Sequence, residues 1–395
     1  MIARINLALR FKDADAKTVR EHVTCGDYLS DTCPKFDLIL GNPPWGYDFS
    51  DGEKAALRRR FITAQGKNVE SYDVFIEKAL SDLNRDGVLS FVLPEAVLNV
   101  KAHRAVRKLL LESSNISFIE YLGDAFAGVQ CPSVIMDICN KGKELSTEGL
   151  AVRDGKRSFA IGIKREVTEE NFSFNITDEE YSILQKMMRG GKARFLLHNA
   201  DFALGIVTGN NKESVSDIKQ PGNEAVFKGS DVEKYRTKAP SNYIVFRPEK
   251  FQQVAPEALY RAKEKLFYRF ISDRPVFAYD DQKRLSLNSC NIVIPRIEGL
   301  SVKYVMAVLN SCAAEFFYAR QFASVKVLRS HLESIPIPVA TKKQQQKITA
   351  LVDELIAGCD EARTKAVYNE IDELVFDLFE LTKSERQVVK AGRIT

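Results

Sequence analysis

The sequence predicts an α/β protein with a partial doubly wound sheet, a following mixed α/β domain and C-terminal helices. Three observations support this fold class. Up to about residue 140, short apolar runs alternate with amphipathic segments, as strands and helices do in doubly wound sheets. Irregular, turn-rich segments fill about 200–340, and residues 343–395 return to helical spacing. The 395 residues are enough for two or three domains.

The first predicted elements lead to one buried strand. Residues 2–11 space their apolar side chains like an amphipathic helix, and residues 22–29, "HVTCGDYL", are typical of a strand and turn. The run "FDLILG", residues 36–41, predicts a strand that is buried on both faces, as in a parallel sheet. Residues directly after that strand are expected at the edge of the sheet where ligands bind.

Further elements continue the alternation. The pattern predicts a helix over residues 71–87 and a second buried strand over 88–94. A helix over 102–114 and strands over 116–123 and 133–139 complete the predicted parallel sheet.

Changes in composition predict four regions. They are a partial α/β domain, a polar connecting segment, a mixed domain and a helical arm, over residues 1–145, 146–195, 196–342 and 343–395.

Composition also limits the function. No apolar run of about 18 residues and no secretory leader are found, so a cytoplasmic protein without a membrane span is expected. The seven cysteines lack metal-site spacing, which favours reduced thiols and no metal. Net charge is +4, and residues 226–285 hold thirteen Lys or Arg against eight Asp or Glu. That excess fits either a surface facing phosphates or an ordinary solvated face.

The stretch Asn42-Pro43-Pro44-Trp45 follows the predicted strand and carries the candidate chemistry. Prolines fix φ and lack an N–H, and a residue before proline is extended. The Asn42 side-chain oxygen and the Pro43 carbonyl are therefore two rigid hydrogen-bond acceptors, with Trp45 as a flat surface beside them. An exocyclic nucleobase amine fits this set, although a proline turn with a core Trp is the structural alternative.

Two acceptors on such an amine would favour a tetrahedral nitrogen. Its lone pair could then attack an electrophilic methyl group in line, by positioning and electrostatics and without a metal. A base inside a duplex is out of reach, so it must flip out and stack, here on Trp45.

At these residues the sequence resembles the S-adenosylmethionine-dependent amino-methyltransferases. "GNPPW" matches their Asn-Pro-Pro-aromatic motif, which occurs in DNA adenine methylases and in some rRNA and protein-glutamine methyltransferases. The resemblance implies that Asn42, Pro43, Pro44 and Trp45 form the catalytic motif.

The flanking segments resemble gamma-class DNA adenine methylases. "CGDYL", residues 25–29, is similar to the cofactor-adenine motif, which implies Asp27, Tyr28 and Asn42 as cofactor contacts. "SYDVFIEKAL" and "GVLSFVLPEAVL" resemble the helix and strand after the catalytic motif. In "GDAFAGVQCPSVIMDI", residues 123–138, Phe126 matches the aromatic residue that packs on the flipped adenine, with a plain core role as its alternative.

The second half resembles the C-terminal specificity domain of Taq-type and type IIG or type I-like methylases. The similar segments are "LGIVTGNNK", "FKGSDVEKY", "VMAVLNSCAAEFFY" and "LRSHLESIPIP". This resemblance implies double-stranded DNA as a partner. The candidate phosphate contacts, each of which could instead be merely solvated, are Lys228, Lys234, Arg236, Arg261, Lys263, Lys265, Arg269, Lys283 and Arg284.

One part of the family pattern is missing. The family's Gly-rich cofactor loop and ribose-binding acidic residue should precede "CGDYL", but residues 1–24 contain no glycine. The family's sheet would then have a gap beside the strand over 36–41. Three explanations stay open: a companion subunit that supplies the loop, a truncated remnant, or a fragment of a longer protein.

The resemblance therefore implies a DNA adenine-N6 methyltransferase of a restriction-modification or related bacterial defence system, with S-adenosylmethionine as cofactor. A catalytically silent DNA-binding specificity subunit and a methyltransferase acting on rRNA or protein are the alternatives.

Overall fold

The computed structural model describes residues 2–10, 16–126, 128, 131–141, 144–189, 191–322 and 325–392. The chain forms two compact units, Met1–Thr177 and Asp178–Thr395. The four finer regions expected from composition stay predictions. Within the motif predicted over 123–138, residues 127, 129 and 130 lie outside the described part. Along the described residues, each helix is too short or too polar to cross a membrane.

The first unit combines a sheet with helices and short 3₁₀ segments. Its helices are α1 (Ile2–Arg10), α2 (Ala16–His22), α3 (Asp51–Arg60), α4 (Ser71–Asp82) and α5 (Arg104–Ser113). Its strands are β1 (Phe36–Gly41), β2 (Leu83–Pro94), β3 (Asn115–Gly123), β4 (Ser133–Cys139), β5 (Ala151–Asp154) and β6 (Arg157–Ala160). The 3₁₀ segments are Thr63–Gln65, Glu95–Leu98 and Lys101–His103.

The sheet of the first unit has mixed strand directions. Its order is β1-β2-β4-β3-β5-β6. Strands β1 and β2 are parallel, as are β3 and β5, whereas β4 runs antiparallel to β2 and β3. The α/β fold class is confirmed, but the expectation of a wholly parallel sheet is wrong because β4 returns against its neighbours.

One face of the sheet carries the main core. On β2, Leu89, Phe91 and Leu93 are buried in one cluster with Ile76 and Ala79 of α4. Since alternate residues of a strand face opposite sides, the intervening residues of β2 lie on the other face and are half-buried. Helix α4 therefore covers the first face and fixes the position of β2.

Strand β1 differs from its prediction in burial. Leu38 and Leu40 are 56% and 67% exposed, and Phe36 is 39% exposed. Only Ile39, which is paired with Leu89, packs against the core. The strand forms as predicted, but burial on both faces is wrong, because among the described residues β1 pairs with β2 alone.

Residues 22–29 do not form the predicted strand. Helix α2 ends at His22, and a turn follows in which the Asp27 carbonyl accepts hydrogen bonds from the Ser30 and Asp31 amides at 2.9 and 2.8 Å. A strand needs a neighbour for its backbone groups, and no described strand lies beside this segment. The local turn satisfies those groups instead.

The boundary between α4 and β2 also lies earlier than predicted. The helix ends at Asp82 and the strand begins at Leu83, so residues 83–87 extend β2 rather than α4. The pairing of Phe36 with Leu83 and a bond from the Asp86 amide to the Asn140 carbonyl at 2.8 Å hold this extension. Tertiary pairing therefore outweighs the local helical pattern.

The second unit is a mixed domain followed by helices. Its helices are α6 (Asp178–Met188), α7 (Asn211–Ser214), α8 (Glu257–Tyr260), α9 (Val302–Leu309), α10 (Cys312–Gln321), α11 (Arg329–Glu333), α12 (Lys342–Ala357), α13 (Glu361–Leu378) and α14 (Lys383–Ala391). Its strands are β7 (Ala193–Arg194), β8 (Ala200–Ala203), β9 (Val215–Ser216), β10 (Glu224–Phe227), β11 (Tyr243–Ile244), β12 (Lys265–Arg269), β13 (Phe277–Asp280), β14 (Leu285–Ser286), β15 (Cys290–Pro295) and β16 (Ile337–Pro338). The predicted C-terminal helices are confirmed.

Small sheets build the core of this unit. Their orders are β14-β10-β11-β9, β13-β12-β15-β8 and β16-β7. Apolar residues of these strands, including Phe227, Phe267 and Ile292, share one buried cluster. The following helices begin at well-made caps, such as the capping box of Thr341 and Gln344 at the start of α12.

Candidate active site

A stiff turn leaves the carboxyl end of β1. Asn42 and Pro44 are exposed, Pro43 is buried and Trp45 is half-buried against the core. Gly46 ends the turn with a φ of +66°, a left-handed conformation that glycine adopts without strain. Because β1 and β2 are parallel, this turn lies at the edge of the sheet that receives both carboxyl ends.

Trp45 meets Phe126 at this edge. The two ring centroids are 5.4 Å apart and the rings are nearly perpendicular, at 81°. Phe126 lies after β3, so the fold brings together two aromatic residues that are far apart in the chain. The Trp45 indole Nε1 is buried and no described residue accepts its hydrogen bond.

The turn is attached to α4 by one hydrogen bond. The Ser71 hydroxyl donates to the Pro44 carbonyl at 2.5 Å. Ser71 is the first residue of α4 and is fully buried. The Pro44 carbonyl is therefore already engaged, which leaves the Asn42 side chain and the Pro43 carbonyl as acceptors for a ligand.

A cavity of about 320 Å³ lies beside the turn. The Asp27 carboxylate contributes one wall and accepts hydrogen bonds from the Leu29 amide at 3.2 Å and the Ser30 hydroxyl at 2.5 Å. The rest of the lining is mostly apolar and includes Pro44 and Phe75. Glu53 and Arg60 also line it. A small, mostly apolar pocket with a few polar groups, among them the Asp27 carboxylate, suits a flat heterocycle that carries an amino group.

Two predicted cofactor contacts lie outside the cavity lining. Tyr28 packs on Phe75, with ring centroids 5.7 Å apart, and the Lys78 ammonium lies 4.8 Å from the Tyr28 ring. Burial raises the pKa of the Tyr28 phenol, and the neighbouring Asp82 raises it further. Asn42 stands exposed on the turn. The structure thus places Asp27, but neither Tyr28 nor Asn42, in the cavity wall.

Sequence reasoning missed a buried polar cluster behind the turn. The Tyr72 hydroxyl and the His103 Nε2 are 2.6 Å apart, and the His103 Nδ1 lies 3.0 Å from an Asp73 carboxylate oxygen. Burial raises the pKa of the Asp73 carboxyl, and His103 acts against that rise. The available signal was a run of three residues with polar groups, Ser71 to Asp73, at the start of the predicted helix.

Metal-ligating side chains are scattered through the described residues. His, Cys, Asp and Glu side chains there form no group of three that could hold an ion. All seven cysteines are described, and each is a free thiol.

Several candidate phosphate contacts of the second unit are engaged in internal bonds. Arg261 donates to both carboxylate oxygens of Glu224, at 2.6 and 2.8 Å. Arg269 donates to the Val232 carbonyl at 2.8 Å, and Lys234 to the Asn310 carbonyl at 2.8 Å. These three cations stabilise the domain itself and offer less charge to an outside ligand.

Lys265 is the clearest departure from the predicted DNA surface. Its side chain is fully buried and pairs with Asp280, which is also buried and bonds to Arg284 at 2.5 Å. Burial lowers the pKa of the Lys265 ammonium, whereas Asp280 raises it. A buried ammonium in an ion pair is closed to a phosphate, so Lys265 is removed from the candidates. The other eight candidates are all at least partly exposed. Those outside the internal hydrogen bonds described above are Lys228, Arg236, Lys263 and Lys283.

Two family descriptions match this chain. Residues 4–126 match the Eco57I restriction-modification methylase, and residues 224–337 match the TaqI-like C-terminal specificity domain. A solved type IIL restriction-modification enzyme, MmeI in complex with DNA, has a similar fold. Its TM-score is 0.52 and its identity 12%, over 90% of this chain and 57% of that one.

Curated relatives agree with these matches. The type II methyltransferase M.VspI of a Vibrio species is 28% identical over 212 residues, which are 50% of this chain and 48% of that protein. A putative type II restriction enzyme and methyltransferase of Methanocaldococcus jannaschii is 23% identical over 376 residues, 87% of this chain and 31% of that protein. This chain thus spans less than half the length of either relative. The chain therefore carries an Eco57I-like restriction-modification methylase region followed by a TaqI-like C-terminal specificity domain.

Proposed function

We propose that this chain positions the target base in a site-specific DNA adenine-N6 methyltransferase of a restriction-modification system. The cofactor would be S-adenosylmethionine and the substrate an adenine flipped out of duplex DNA. One observation carries the proposal: the fold joins Trp45, on the Asn-Pro-Pro-Trp turn, with Phe126 beside a cavity lined by Asp27.

The turn suits an exocyclic amine. Its two free acceptors, the Asn42 side-chain oxygen and the Pro43 carbonyl, would each accept one N–H of the adenine amino group. Prolines lack an N–H and hold φ fixed, so the acceptors need little reorganisation when the base arrives. Hydrogen bonds to both hydrogens would take the nitrogen lone pair out of conjugation with the ring. The amine would then be a better nucleophile.

The aromatic pair would hold the flipped base. With the centroids 5.4 Å apart and the rings perpendicular, no base fits between Trp45 and Phe126. Stacking on both faces needs rings about 7 Å apart, twice the usual contact distance. We therefore infer that the base displaces Phe126. Gly123 and Gly128, both with positive φ, flank Phe126 and give its segment freedom to move.

The cavity fits the adenosine part of the proposed cofactor. Asp27 would accept from the cofactor's adenine amino group, since each of its oxygens can accept more than one bond. Pro44 and Phe75 would contact the ring faces. When bound, S-adenosylmethionine supplies an electrophilic methyl group. Tyr28 would not contact the cofactor itself. It would hold Phe75 in place, because the two rings are in contact.

The second unit would recognise the DNA sequence. Its match to a specificity domain supports this role. Exposed cations contact phosphates and set the register of a protein on duplex DNA, while other side chains read the bases. The preferred phosphate contacts are Lys228, Arg236, Lys263 and Lys283, because their side chains are at least partly accessible and are not engaged in the internal hydrogen bonds that hold the other exposed candidates.

We also propose a companion polypeptide that supplies the Gly-rich cofactor loop. Its support is β1, where Leu38 and Leu40 are exposed and the outer edge has no described neighbour. Parallel strands are stable when both faces are covered, and an open apolar edge favours pairing. The companion would add a strand parallel to β1 and a layer over Leu38 and Leu40.

The substitution Asn42→Ala tests this function. It removes one acceptor for the target amine, so methyl transfer to duplex DNA should fall by about 100-fold or more, as for lost transition-state hydrogen bonds. DNA affinity should stay near that of the wild type. Incorporation of labelled methyl groups and DNA titration measure the two quantities, with the protein expressed together with its flanking genes.

Asn68→Ala is the matched control, because Asn68 is exposed in the same unit but lies outside the turn. It should leave both quantities unchanged. Equal transfer by the Asn42→Ala protein would reject the assigned role. DNA binding without transfer by the unmodified protein would instead support a silent specificity subunit.

A further inference from the structure

The first turn of α4 is built as an anchor for the catalytic turn. The Ser71 hydroxyl reaches the Pro44 carbonyl, and Ser71 itself has no accessible surface. Glu70, which precedes the helix, makes no side-chain cap bond. The serine hydroxyl is thus directed to the turn and not used to cap its own helix, as a serine at a helix start usually is.

The next two residues of α4 are bonded to a second segment. Tyr72 and Asp73 both bond to His103, whose ring is stacked against Tyr72 with centroids 4.8 Å apart. All three side chains are buried. Arg107 holds this segment from α5, by donating to the carbonyls of Val97 and Val100 at 2.8 and 2.9 Å.

The Pro44 carbonyl is a sensitive point in the turn. The two proline rings fix φ at Pro43 and Pro44, so rotation about ψ of Pro44 is the main remaining freedom before Trp45. A bond to the Pro44 oxygen fixes that rotation. The bond therefore constrains the backbone that carries the Trp45 indole, whose ring centroid lies 5.4 Å from that of Phe126.

We propose that Ser71 is a positioning residue, which orients Trp45 through the Pro44 carbonyl. The cluster of Tyr72, Asp73 and His103 keeps Ser71 in place. Ser71 would contact neither the base nor the cofactor. Its effect on methyl transfer rests on the proposed function, whereas its effect on Trp45 does not.

The chain offers a direct readout of this effect. Trp45 is the one tryptophan among the 395 residues, so fluorescence excited selectively at tryptophan, away from the absorption of the 13 tyrosines, reports the turn alone. In Ser71→Ala the indole should become mobile. Its quenching by acrylamide should rise at least twofold, and its fluorescence anisotropy decay should gain a fast component.

Control variants separate the bond from general damage to α4. Ser81→Ala removes a hydroxyl that bonds to the Lys78 carbonyl within the same helix, so it should keep wild-type quenching. Ser71→Thr restores a hydroxyl and should bring quenching back towards wild type. If Ser71→Ala fails to fold by circular dichroism, Ser71→Cys, with its weak donor, takes its place with the same expectation.

Unchanged Trp45 quenching in a folded Ser71→Ala or Ser71→Cys protein would overturn the proposal. The kinetic test follows in the protein expressed with its flanking genes: kcat should fall by about tenfold or more, with KM for DNA near wild type, since small misplacements are costly in catalysis. Altered quenching with wild-type kcat would also overturn it. Absence of transfer in the wild type would count against the proposed function, while the fluorescence result would still decide the role of Ser71.

Discussion

Two lysines, one at the first residue of β12 and one just before that strand, have opposite surroundings, and the difference decides what each can do. Lys263 is exposed, whereas Lys265 is buried and paired with Asp280. Both lie in the basic segment from 226 to 285, where sequence alone gives them equal standing. Charge counts therefore overestimate the DNA surface, because part of the charge neutralises acids inside the domain.

Lys265→Ala should destabilise the second unit. Removing one partner of a buried ion pair leaves the other uncompensated, which costs about 3 kcal/mol or more. Because Arg284 would still contact Asp280, we expect the loss of stability to stay near about 3 kcal/mol. The free energy of unfolding in urea measures the change.

Lys263→Ala is the matched variant two residues away. Its free energy of unfolding should stay within about 0.5 kcal/mol of wild type, as for other surface changes. Its DNA affinity should fall and depend less on salt. Equal destabilisation by both substitutions would contradict the assignment of Lys265 to the core and Lys263 to the surface.

At the scale of elements, strand β1 leads into the candidate site, but other residues cover its own side chains only in part. Its inner residue Ile39 packs on the core, while Leu38 and Leu40 face outwards. The Asn-Pro-Pro-Trp turn leaves directly from this strand. An added strand would therefore both bury β1 and stiffen the base of the turn.

The double substitution Leu38→Lys with Leu40→Lys tests this role of the strand. Lysines on an exposed edge oppose pairing with another strand. The isolated protein should self-associate less in sedimentation velocity, and methyl transfer in the protein expressed with its flanking genes should fall by about tenfold or more, a loss of about 1.4 kcal/mol.

Ile62→Lys provides the control, because Ile62 is as exposed as Leu38, at 56%, and lies on a different segment. It should change neither self-association nor transfer. Wild-type transfer by the double variant would exclude β1 as the docking edge.

The elements show what sequence patterns can and cannot predict. The strand over 36–41 and the turn after it follow from local apolar runs and proline chemistry, and both are present. The strand expected over 22–29 is absent, because a strand depends on a neighbour that local sequence does not reveal. Ser71 was missed for a related reason: its bond to Pro44 joins two segments through tertiary packing.

At the scale of the whole molecule, we assign a separate task to each of the two units. The first presents the Asn-Pro-Pro-Trp turn, the aromatic pair and the Asp27 cavity, and part of the second matches a specificity domain. The proposed account assigns base positioning to the first and sequence recognition to the second. It therefore requires that the modified base be adenine and that modification occur at one short sequence.

The most direct test is to map modified bases in DNA. The gene and its flanking genes are expressed in a host without adenine methylation, and single-molecule sequencing locates N6-methyladenine. The account predicts N6-methyladenine at one short recognition sequence with the wild-type protein and none with Asn42→Ala. Another modified base, no modification by the wild type, or equal N6-methyladenine in the Asn42→Ala strain would contradict it.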